Sequence, residues 1–147
     1  MKISMQDLEI AKQRLKENDL TISIVKNGKI LFENASHGIS GFLEAIEKFG
    51  DTLEDASVAD RITGKAIALL CAHSRIKAVY AITLSKKAKT LLEKYTIYHE
   101  WNELVENILN ISRTDTCPFE KLAEEISNPK DAYGKFKALQ TSLKHCI

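Results

Sequence analysis

The clearest pattern along the chain is a short alternation. Leu20, Ile22 and Ile24 alternate with Thr21 and Ser23, and Asn27-Gly28 follows. Ile30 and Phe32 then alternate with Lys29 and Leu31. Asn-Gly supplies the two positive-φ positions of a tight turn, so residues 20–34 predict a β-hairpin. Before it, Met5, Leu8, Ala11 and Leu15 recur at helical spacing behind Ser4-Met5-Gln6-Asp7, a capping-box pattern, and Asn18-Asp19 ends that helix. After it, Ile39, Phe42, Leu43, Ile46 and Phe49 predict a second amphipathic helix, stopped by Gly50.

A third helix is expected from Ser57 to about His73. Ser57-Val58-Ala59-Asp60 reads as its capping box, and Ala66 to Ala72 is apolar on every face, so the helix should be the most buried. Ile76 to Leu84 is apolar and β-branched on both faces, which fits a central strand covered on both sides. Ser85 caps a short helix to Glu93, and Tyr95 to His99 predicts another strand. Strand, helix and strand in so short a span imply a parallel crossover. From Glu100 to Thr116 the pattern is ambiguous between a helix capped by Asn102 and a short edge strand. Pro118 to Ile126 and a stretch carrying Tyr133, Phe136, Leu139 and Leu143 predict two last helices, separated by Asn128-Pro129. The whole predicts a three-layer helix–sheet–helix α/β sandwich with a mixed sheet, spanning residues 1–147 as a single domain.

Composition narrows the function classes. Twenty-one Lys and Arg against 20 Asp and Glu give a net charge of +1, so neither nucleic acid nor an anionic membrane is an expected partner. The longest apolar run has seven residues, far short of the roughly 18 a membrane span needs. Three widely spaced cysteines, 71, 117 and 146, argue for a reduced, cytoplasmic protein. His37, His73, His99 and His145 show no metal-ligand spacing, so no metal and no cofactor is expected. Gly38-Ile39-Ser40-Gly41 is too short for a phosphate loop.

Two places carry candidate chemistry. The polar residues of the expected third helix, Ser57, Asp60 and Lys65 among them, gather at its N-terminal end, where free N–H groups attract anions. Simple capping accounts for Ser57 and Asp60 equally well. Cys117-Pro118-Phe119-Glu120 places Pro at the first helical position and a thiol at the cap, where the helix dipole favours a thiolate. The plain alternative is a Cys117 that packs beside a weak capping box completed by Glu120.

The order of elements resembles the cytidine-deaminase-like fold. The segment Ala56 to Leu70 (ASVADRITGKAIALL), with the later Cys-Pro-Phe-Glu, resembles a small prokaryotic family of unknown function in the deaminase superfamily, and the likeness covers Leu20 to Glu125. The resemblance sets Val58 at a zinc-ligand position and Asp60 at that of the catalytic carboxylate. Zinc deaminases take two further ligands from Pro-Cys-x-x-Cys, whereas Leu84-Ser85-Lys86-Lys87-Ala88 has no Cys. The resemblance therefore implies the fold without the zinc-dependent hydrolysis. It also implies, by analogy of fold alone, a homodimer or larger homo-oligomer. Three readings follow. In one, Ser57, Asp60, Lys65, Ser85, Cys117 and Glu120 converge on a small polar, anionic or nucleotide-like ligand. In the second, a metal-independent enzyme uses Cys117 as nucleophile, with Glu120 or Asp60 as acid/base and Lys65 as electrostatic stabiliser. In the third, the chain is an interaction protein whose fold only presents a dimer surface.

Overall fold

The structure is a computed structural model and describes residues 5–36, 39–109 and 115–145. The expected cap Ser4, His37, Gly38, residues 110–114 and Cys146 lie outside them. The sheet has five strands in the order β2-β1-β3-β4-β5. These are β1 (Ile22–Lys26), β2 (Lys29–Asn34), β3 (Ser57–Thr63), β4 (Ala78–Ser85) and β5 (Tyr98–Val105). β1 pairs antiparallel with both β2 and β3, while β3, β4 and β5 run parallel. The mixed sheet and its helical layers are those the sequence predicts.

One face of the sheet is covered by α1 (Met5–Glu17), which sets Leu8, Ala11 and Leu15 against Val25, Ala59, Ala78 and Tyr80. The other carries α2 (Ser40–Phe49), α3 (Lys65–His73) and α4 (Lys86–Lys94). Two further helices, α5 (Pro118–Ala123) and α6 (Ala132–His145), bring Ala123, Ala132 and Phe136 into that same core. α3 is buried throughout Ala66 to Cys71, as its uniformly apolar sequence requires.

The hairpin forms as its turn residues dictate. Asn27 and Gly28 both adopt positive φ, 53° and 77°. The carboxylate of Asp7 on α1 accepts from their backbone N–H groups at 2.9 and 2.8 Å. Asp7→Ala is expected to cost about 1 kcal/mol in chemical denaturation, since this clamp is solvent-exposed. Two helix breaks also fall where expected: Gly50 ends α2 with φ 47°, and Asn128 accepts from the N–H of Lys130 ahead of α6.

Three expectations are corrected. The helix expected from Ser57 is two elements, β3 and then α3, with Gly64 between them. The Ser-x-x-Asp pattern looks like a cap, but its backbone is taken by two neighbours: β1 on one side and β4 on the other pair with Ser57–Asp60. The last strand is Tyr98–Val105 rather than Tyr95–His99, and Asn102 stands on it instead of capping a helix. The helix from Pro118 ends at Ala123, short of Ile126.

Candidate functional site

The three parallel strands end on one edge of the sheet, at Thr63, Ser85 and Val105, and α3 and α4 begin there. Ligands of open α/β sheets generally bind at such carboxyl ends. α3 has no side-chain cap of its own, because Gly64 holds the cap position in extended backbone. The cap comes from another element. Glu120 of α5 lays its carboxylate across the first turn of α3, accepting from the Lys65 N–H at Oε1 and from the Ala66 N–H at Oε2, both at 2.9 Å. Gly64 makes room for it: a Cβ there would lie 2.3 Å from Oε1. Burial pushes the Glu120 carboxyl above its ordinary value, and the two N–H donors only partly offset that.

α4 is capped by Ser85, whose Oγ accepts from the Ala88 N–H at 3.1 Å. A cavity of 170 Å3 opens beside this cap, lined by Ser85, Lys87, Glu106, Thr116, Glu120 and Lys121 among others. Its charges are largely paired. Lys87 meets Glu124 at 2.5 Å, Lys121 meets Asp115 at 2.6 Å, and Lys86 meets Glu106. The hydrogen bond from Lys87, then the charges of Lys87 and Lys65, hold the Glu124 carboxyl below its ordinary range despite partial burial.

Asp60 lies behind this edge, on β3. It is 6% exposed, and burial raises its carboxyl to about 7. The Thr63 hydroxyl donates to it at 3.2 Å, and the N–H groups of Arg61 and Ile62 also stabilise the charge without overcoming burial. Cys71 of α3 is near enough that Asp60 adds to the effect of burial in pushing its thiol well up.

The candidate residues therefore separate. Ser85 and Glu120 line the cavity. Lys65 contributes the backbone N–H that Glu120 holds. Cys117 opens α5 without a side-chain hydrogen bond at the cap; its backbone N–H donates to Ile108 O at 3.0 Å, and its carbonyl accepts from the Glu120 and Lys121 N–H groups. Ser57 sits at the opposite end of β3, roughly 20 Å from Thr63 at the usual strand rise. Sequence reasoning missed Gly64, Lys87, Thr116 and Lys121. A Gly between a β-branched strand end and an apolar run was the available signal for the first.

Since Val58 and Asp60 belong to a strand, they do not mark a helix start, and that part of the resemblance fails. The residues at the starts of α3 and α4 are Gly64, Lys65 and Ala66, then Ser85, Lys86 and Lys87. None of them carries the Cys or His side chain that holds zinc in the deaminases. Among the described residues no group of three His, Cys, Asp or Glu side chains could hold a metal. No helix among them is long and apolar enough to cross a membrane.

Sheet order, covering helices and the strand-end cleft define an α/β domain of the three-layer class. The chain belongs to the TM1506 family, a domain of unknown function (DUF1893), whose model matches residues 10–140. It is similar to the crystal structure of a DUF1893 family protein from Thermotoga maritima, with 26% identity and a TM-score of 0.84 over 93% of this chain and 92% of that one. It also shows similarity to a dCMP deaminase from the cyanophage S-TIM5, at 15% identity and a TM-score of 0.47, covering 71% of this chain and all of that one. No curated protein matches it in sequence. The family expected from the sequence is the one found.

Proposed function

We propose that this protein binds a small polar molecule at the carboxyl end of its parallel strands. The observation that carries this is the 170 Å3 cavity bounded by Ser85, Thr116 and Glu120 beside the start of α4. Its lining favours a neutral or zwitterionic ligand over a free phosphate. Lys87 and Lys121 face Glu106, Glu120 and Glu124, so carboxylates outnumber ammonium groups. The first turn of α3, where an anion would otherwise settle, is already taken by Glu120. Ser85 and Thr116 offer hydroxyls, and the Glu120 carboxylate, held by the Lys65 and Ala66 N–H groups, offers its remaining acceptor positions.

Thermal denaturation with a panel of nucleosides, nucleoside monophosphates, amino acids and inorganic phosphate tests this. A neutral or zwitterionic member is expected to raise the Tm by several degrees and inorganic phosphate is not. Thr116→Val and Lys87→Ala are expected to reduce the shift without lowering the Tm of the free protein. If no member shifts the Tm, or both variants keep the full shift, the site is wrongly placed.

A further inference from the structure

The two edges of the sheet are built differently. β2 opens on Lys29, and an irregularity interrupts its pairing with β1 between Ile24 and Val25. Lysines and bulges are the usual means of blunting an edge strand. β5 has neither. Tyr98–Val105 includes no Lys, Arg, Pro or Gly, and its register with β4 is unbroken from end to end. No main-chain hydrogen bond among the described residues reaches its outer side. A strand edge left in this state is a template for another strand. The N–H of Tyr98 donates inward, to Lys77 O at 3.3 Å. Backbone groups alternate sides along a strand, so Glu100, Asn102 and Leu104 point inward too. His99, Trp101 and Glu103 therefore present their N–H and C=O groups outward.

The side chains of these three residues share one face of the sheet, the face of α4. His99 and Trp101 stack at 5.8 Å, and Lys89 of α4 lies 5.5 Å from the Trp101 ring, which is 37% exposed. On the other face Glu100 is held by Lys12 at 2.9 Å and by the Tyr98 hydroxyl at 2.7 Å. Glu103 has no side-chain partner among the described residues, so it is the unmatched charge of the strand. The pattern is self-complementary. Turned about a two-fold axis through Trp101, β5 meets itself with Trp101 on Trp101 and with His99 opposite Glu103 twice. Every residue so paired is one whose backbone points outward, and about six main-chain hydrogen bonds form, two per facing pair. Slipping the strands by two residues either way sets Trp101 opposite Glu103 or His99 and forfeits both charge pairs. This match of the strand with itself selects a second copy over an unrelated strand.

We propose that β5 is a dimer interface, pairing antiparallel with β5 of a second copy about a two-fold axis through Trp101. The test is sedimentation equilibrium of the full chain from micromolar to millimolar concentration, at about pH 6, where a histidine opposite a carboxylate is cationic. A reversible species of twice the 16.5 kDa chain is expected, and nothing larger. Amide exchange at His99, Trp101 and Glu103 should slow as the dimer fills. Trp101→Pro removes an N–H that makes no bond within the chain and should leave the protein monomeric. His99→Glu and Glu103→Lys each set like charges opposite one another and should weaken association about tenfold. The double variant sets opposite charges there again and should restore it, a rescue that belongs to this register alone. A chain that stays monomeric at millimolar concentration, growth beyond two copies, an affinity unmoved by Trp101→Pro, or a double variant no tighter than either single one would each overturn the proposal. None of the three residues lines the strand-end cavity, so failure here leaves the first reading standing.

Discussion

Asp60→Asn is expected to stabilise the protein at pH 8 and to leave it nearly unchanged at pH 4. Asp60 is buried on β3 with a carboxyl raised from 3.8 to about 7. In that window the folded chain holds a proton that the unfolded chain has lost. Stability from this group is therefore complete below about pH 4 and falls as pH rises towards 7, because the folded state must bury a charge. The full excursion corresponds to roughly 4 kcal/mol, an upper bound for a strand whose amides and Thr63 already hydrogen-bond the carboxylate. Asn keeps the shape and the acceptor and carries no charge. Urea denaturation at pH 4, 6 and 8 measures it: the wild type should lose stability across the series, and the variant should lose less. Glu120, also raised by burial, works in the same direction and accounts for part of the slope that remains. Parallel profiles for the two proteins would show that Asp60 is ionised or solvated in the folded state at all these pH values.

Gly64→Ala is expected to cost about 3 kcal/mol, the scale of losing charge-assisted hydrogen bonds at a half-buried site. The added methyl group would stand 2.3 to 2.6 Å from three atoms of the Glu120 carboxylate, so the carboxylate must leave the start of α3. Lys65 and Ala66 then lose the acceptor of their N–H groups. The backbone at Gly64 is extended, so a side chain brings no conformational penalty of its own. This makes the effect specific to Glu120. In the Glu120→Ala background the three atoms nearest the added methyl are gone and it should cost less, so the two changes should be strongly non-additive. Additive losses in a double-mutant cycle would mean that the methyl group is felt by something other than Glu120.

The sequence discloses most readily what is decided locally. The hairpin is legible because Asn27-Gly28 specifies its own turn, and the end of α2 is legible because Gly50 takes the left-handed region. α3 is recognisable as the most buried helix from its composition alone. β3 is not, because Ser57–Thr63 owes its extended state to strands on either side, one of them starting 35 residues earlier at Ile22. Its local Ser-x-x-Asp pattern points the other way, and tertiary pairing prevails. The site divides along the same line. Glu120 is legible as a helix-start carboxylate, but the helix whose N–H groups it holds is not its own. No spacing rule reaches across the 55 residues between Lys65 and Glu120. Asp60 is legible as an unusual carboxylate, although its setting is the interior of a sheet rather than a cleft.

The borrowed cap also bears on the order in which the chain takes shape. During synthesis β3, α3 and β4 emerge well before residue 120, so the first turn of the most buried helix must wait, its amides facing water, until α5 arrives. Every pairing in the parallel part of the sheet bridges a crossover of this kind, which places the protein among slower folders than a bundle of equal length. The seating of α5 is thus a late, long-range closure. Its reversal is a local opening: the amides of Lys65 and Ala66 would exchange with solvent whenever α5 lifts, while those deeper in α3 stay protected.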